Sequence, residues 1–138
     1  MSLSNKYENI LIDHLFGGDT FTLPSSYRIG VFKNTAPYNE ADVLIEPPST
    51  AGYARVVVAN DKTTFSSAAV GGSLTNNIEI LFPTAIGAWG ACTHIGLFED
   101  APSGDLVAYG EIAGGTPVTI STGIKLVFPI GSITISLD

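Results

Sequence analysis

Three stretches decide the fold: Gly52-Tyr53-Ala54-Arg55-Val56, Asn76-Asn77-Ile78-Glu79-Ile80-Leu81-Phe82-Pro83, and Trp89-Gly90-Ala91-Cys92-Thr93-His94-Ile95-Gly96-Leu97-Phe98-Glu99-Asp100. In the second, Ile78, Ile80 and Phe82 alternate with Glu79 and Leu81, the period of a strand with one face inward. The third is apolar on both faces and carries a glycine inside. That pattern suits a central strand buried on two sides, or a place where another backbone comes close.

The same logic extends outward in both directions. Tyr27–Phe32 and Tyr53–Ala59 are rich in β-branched and aromatic residues, which fit a pleated, half-buried surface. Ile124, Leu126 and Phe128 alternate with Lys125 and Val127, and Ile133, Ile135 and Leu137 alternate with Thr134 and Ser136. Leu106–Ile112 resembles Cys92–Phe98 in being apolar on both sides. Turn chemistry separates the runs at Asn34-Thr35-Ala36-Pro37, Glu46-Pro47-Pro48-Ser49, Gly71-Gly72-Ser73, Pro102-Ser103-Gly104 and Gly114-Gly115-Thr116-Pro117. Short strands at this spacing predict an all-β chain, an antiparallel β-sandwich or jelly-roll-like single domain. The two longest connections, from about Asn34 to Gly52 and from Asn60 to Asn77, are expected to be surface arms.

Only the beginning of the chain reads as helix. Tyr7, Ile10, Leu11, His14 and Leu15 recur on one face of a 3.6-residue period. Asn5 is the expected N-cap, with Glu8 completing a capping box and Gly17-Gly18 the stop. Such a short helix is marginal alone, so its stripe needs a surface to dock on, either the chain's own sheet or a partner. The organisation expected is an N-terminal amphipathic helix or arm over residues 1–18 and a β-sandwich domain over 19–138.

Composition excludes several classes of function. With 138 residues, 45% of them hydrophobic and 14% charged, the chain has the apolar content for one folded core. A formal charge of −7 with scattered Lys and Arg provides no basic stripe for phosphates, so no nucleic-acid partner is expected. No apolar run approaches the roughly 18 residues of a membrane span, and no leader pattern opens the chain, so no membrane partner is expected and synthesis is expected in the cytoplasm. Cys92 is the single cysteine, which rules out an intrachain disulfide and a Cys-based metal cage.

No catalytic constellation emerges either. Cys92 and His94 could share a strand face, but such neighbours are about 7 Å apart, beyond hydrogen-bond reach, and a core or interface histidine is the better reading. Glu99, Asp100 and Asp105 form the densest acidic cluster, yet their setting reads as a hairpin turn and their spacing fits no established calcium loop. No cofactor or metal is expected. Trp89 is either a packing anchor or a stacking platform for sugars, with packing favoured. Arg55 either pairs with a carboxylate of its own chain or crosses an interface.

The stretches quoted above, with Tyr27-Arg28-Ile29-Gly30-Val31-Phe32 before them and Phe128-Pro129-Ile130-Gly131 after, resemble a family of small bacteriophage virion proteins, the head decoration or cement, head fibre and minor tail proteins. The resemblance implies a β-sandwich that assembles as a trimer on a phage shell or tail, with no enzymatic activity. Its leading implication is a trimeric capsid decoration protein, partnered by copies of itself and by the major capsid protein or another phage structural protein. Such a ligand would stabilise the assembled head by mass action. The alternative is a tail fibre, baseplate or receptor-binding module whose Trp89, Tyr109 or loop tyrosines meet host glycans. The expected location is the virion, at the capsid surface or the tail. Tyr7, Leu11, Leu15, Tyr53, Arg55 and Trp89 are the expected interface residues, because an obligate oligomer can cover apolar surface that a monomer would expose.

Overall fold

The computed structural model describes residues 1–66, 71–101 and 104–137. It shows an all-β domain with one short N-terminal helix, its strand pairings antiparallel. A five-stranded sheet has the order β1 (Ser2–Leu3), β8 (Leu106–Glu111), β7 (His94–Glu99), β2 (Ser26–Phe32), β3 (Val56–Ala59). Three two-stranded ribbons complete the described strands. They pair β5 (Ile80–Thr84) with β10 (Lys125–Phe128), β4 (Ser73–Thr75) with β11 (Thr134–Ser136), and β6 (Gly90–Cys92) with β9 (Val118–Ile120).

Register explains why the middle of the large sheet is apolar on both sides. Ile29 lies opposite Leu97 and Val31 opposite Ile95, which sets these four side chains on one face. They join one core with Ile80, Phe82, Trp89, Ile120, Leu126 and Ile133 from the ribbons and their flanks. The other face carries the pairs Arg28–Phe98, Gly30–Gly96 and Phe32–His94. The facing glycines leave a floor without side chains, and the Phe98 ring lies on it: a methyl group on Gly96 would stand 2.8 Å from that ring, and one on Gly30 3.0 Å.

The connection from Asn34 to Gly52 is not a projecting arm. It folds back over this second face, because Asn34 clamps it: the Asn34 amide donates to Val43 O (2.9 Å) and its Oδ1 accepts from the Ile45 N–H (2.8 Å). Tyr38 then stands edge-on against Phe32, ring centres 5.0 Å apart. In the Asn60–Asn77 connection Phe65 is buried and bridges to Asn76, and β4 pairs with the last strand. Residues 67–70 of that connection, and Pro102 and Ser103 of the expected hairpin turn, lie outside the described residues.

Three sequence expectations shift in detail. The run Cys92–Phe98 is two strands, since Thr93 turns its hydroxyl to the carbonyls of Asn34 and Phe32 and the chain changes partner there, from β9 to β2. The strand expected from Tyr53 begins only at Val56. The helix α1 (Asn5–Ile12) is capped at Ser4 rather than Asn5, and no capping box forms. The Ser4 hydroxyl donates instead to Leu106 O (2.6 Å), while the carboxylate of Glu40 accepts the free Asn5 N–H (3.0 Å), an anion at the positive end of the helix.

Candidate interaction surface

α1 is followed directly by a π turn, Asp13–Gly17, closed by Gly18 in the left-handed conformation. The wider turn breaks the 3.6-residue stripe read from the sequence. Tyr7 keeps its place on the stripe and is buried, and Ile10 and Leu11 are half-buried. Beyond them the side chains swing out: Leu15 is 61% exposed and Phe16 85%. Leu23 and Leu137 are also exposed. Leu23 and Leu137 help line a groove of about 490 Å³, together with Leu11, Phe21, Leu74 and Ile135. Among the described residues its titratable lining consists of His14, Tyr7 and Tyr27, with no carboxylate or ammonium side chain.

The other expected interface residues lie elsewhere. Trp89 is 1% exposed; its indole N–H donates to Ala51 O (3.0 Å), and its ring meets those of Tyr53 and Phe82 edge-on. Tyr53 is buried beside it. Arg55 forms a two-pronged ion pair with Glu46 of its own chain. Of the six, Tyr7 and Leu11 line the groove, Leu15 is exposed outside its lining, Tyr53 and Trp89 are buried in the core, and Arg55 is half-buried. Sequence reading passed over Phe16, Leu23 and Leu137. Phe16 stands off the helical stripe, and the π turn exposes its neighbour Leu15, which lies on it.

The acidic residues of the expected turn are tied to cations of the same chain. Lys6 donates to Asp105 (2.6 Å) and Glu99 (3.0 Å), and these two bonds, Asp105 first, raise its pKa above the ordinary lysine value. Glu99 also accepts the Tyr7 hydroxyl at 2.8 Å, and burial together with that bond pushes the Tyr7 phenol well above its usual range. Asp100 accepts from Ser26 and from Arg28, the two contacts that hold its carboxyl below the ordinary aspartate value. Among the described residues no group of three His, Cys, Asp or Glu side chains is placed to hold a metal ion, and no helix is long and apolar enough to cross a membrane.

The arrangement therefore offers a nonpolar groove, joined through the Tyr7 hydroxyl to the ion pairs of Lys6, Glu99 and Asp105. No curated protein matches the chain. A family model does: the one described as podophage GP4 fiber I protein gp80 matches residues 2–136, from the first strand of the large sheet through the last strand of the ribbons. With that span covered, the chain belongs to this family of podophage fiber proteins and is a bacteriophage structural protein.

Proposed function

We propose that the protein is a non-enzymatic subunit of a virion fiber, assembled from three copies of itself and attached through a contact with another phage structural protein. The observation that carries this reading is the family match over residues 2–136. The family's description favours a fiber over a capsid cement. The exposed Leu15, Phe16 and Leu23, and a groove with no carboxylate or ammonium side chain among its described lining residues, fit a chain that is covered in its working state, since patches of this kind mark contact surfaces. Glycan recognition through Trp89 gains no support, because the indole is enclosed by Ala51, Tyr53 and Phe82.

Sedimentation analysis of the purified chain tests the self-assembly. A trimer that dissociates when Leu15 and Phe16 are changed to Ser, with an unchanged circular dichroism spectrum, is the expected result. A chain that sediments as a monomer at every concentration would contradict it.

A further inference from the structure

Among the described residues, one buried side-chain nitrogen lacks a hydrogen-bond partner, Nε2 of His94. Its tautomer follows from its neighbour. The Thr93 hydroxyl has one proton and two carbonyls in reach, Asn34 O at 2.6 Å and Phe32 O at 3.2 Å, so it donates there. Its lone pair accepts from His94 Nδ1 at 2.8 Å. Nδ1 therefore carries the ring proton, and Nε2 is a bare lone pair enclosed by protein. A second proton would place a charge and an N–H there with no hydrogen-bond partner among the described residues, an arrangement that a buried site disfavours.

The ring is covered by a segment with few anchors. It stacks on Phe32, centroids 5.0 Å apart and planes within 8°, and Tyr38 leans over the pair at 5.0 and 6.0 Å. Tyr38 also meets Tyr109 edge-on. Two residues on, Glu40 holds the Asn5 N–H at the start of α1. The segment 35–45 is thus a strap, clamped at its base by Asn34 and fastened at its tip by Tyr38 and Glu40.

We propose that this strap is released by acid: a proton taken up by His94 Nε2 lifts Tyr38 from the ring and withdraws Glu40 from the N-terminus of α1. The titratable groups around the ring are Glu111 and Tyr109 from β8 and Tyr38 and Glu40 from the strap. Lys33, next along β2, extends toward Gly90 instead. Glu111, opposite His94 in the register, is the anion that favours the proton, and it is solvent-exposed. Burial outweighs both that carboxylate and a hydrogen bond to the Asn34 backbone, and holds the imidazole below its usual value of 6.5. A group depressed in the closed form makes that form most stable above the open-state pKa, and the advantage is lost as pH falls below it. β7 is hydrogen-bonded along its length to β2 and β8, whereas the strap is tied to the sheet at its base, by Asn34 and by the Lys33 N–H donating to Ile45 O (2.8 Å), so the strap opens first.

Hydrogen exchange followed by mass spectrometry, corrected for intrinsic chemistry, tests this between about pH 7.5 and about pH 5. Protection of residues 35–45 and of the first turn of α1 should fall by up to roughly tenfold per pH unit below about 6.5, the limit for one linked proton, while β7 keeps its protection. His94→Phe, which preserves the stack on Phe32, should remove the dependence. Flat protection in the wild type, an unchanged dependence in His94→Phe, or loss of β7 in step with the strap would each overturn the proposal. Tyr38→Ala supplies an independent reading by NMR titration: uncovered, the His94 ring should titrate closer to 6.5, and an unmoved titration counts against the strap.

Discussion

Glu46 and Arg55 meet in a two-pronged ion pair, Nε to Oε1 and Nη2 to Oε2 at 2.9 Å each, with the guanidinium lying 3.5 Å over the Phe98 ring. Glu46 also accepts the Tyr53 hydroxyl at 2.6 Å, and that hydroxyl accepts the Val31 N–H at 3.0 Å. One carboxylate thereby ties the segment before β3 to a central strand of the large sheet. Arginine is suited to the place because its planar fork can bond the carboxylate and stack on the ring together.

Arg55→Met leaves the Glu46 carboxylate partly buried without its counter-charge. We expect a loss of about 2–4 kcal/mol, below the cost at a fully enclosed pair because Glu46 keeps some contact with water. Urea unfolding measures it. A double-mutant cycle with Glu46→Gln should give a coupling of at least about 1 kcal/mol; additive losses would mean that the pair contributes little.

Gly96 has no room for a side chain, its missing methyl being 2.8 Å from the Phe98 ring and 2.9 Å from Leu106. Gly96→Ala should destabilise by about 1–3 kcal/mol through overpacking, read as a lowered Tm. Adding Phe98→Leu, which withdraws the ring, should recover part of the loss. No recovery would place the strain elsewhere.

Trp89→Ala should be among the most damaging single changes, about 3–5 kcal/mol, since it empties a site bounded by Tyr53 and Phe82 and removes the indole N–H from Ala51 O, which keeps the Ile86 N–H at 3.0 Å. Trp89→Phe should cost less, because the ring contact survives and only the N–H is lost. Denaturant midpoints in the reverse order would contradict the packing role.

Cys92 is fully enclosed, and burial pushes its thiol up to about 11. At about pH 8 Ellman's reagent should leave the folded protein unlabelled, because both access and thiolate are wanting. In denaturant one thiol per chain should react. Rapid labelling of the native protein would place the sulfur at the surface.

The strands most readable in the sequence were those whose alternation ran long enough to show a period. Ile80 and Phe82 are buried with Leu81 outward, and Tyr27–Phe32 forms β2 nearly as read. β1, β4 and β9 escaped notice because strands of two or three residues carry no period, and two of them, Ser73–Thr75 and Ser2–Leu3, are partly polar. The helix cap was misplaced because its partner, Glu40, is distant in sequence. Large aromatic residues such as Trp89 and Tyr53 attract the same reading whether they fill a core or a contact, and only the fold separates the two. Conversely, Leu15, on the stripe, is turned to the surface by a π turn that the spacing of apolar residues does not encode.

Electron microscopy of purified particles carrying a labelled copy of this chain tests the central claim most directly. The account predicts label in several copies along fibers projecting from the virion, with those fibers missing when the chain is deleted. Particles that lack the label altogether, while the chain is produced in the infected cell, would contradict it.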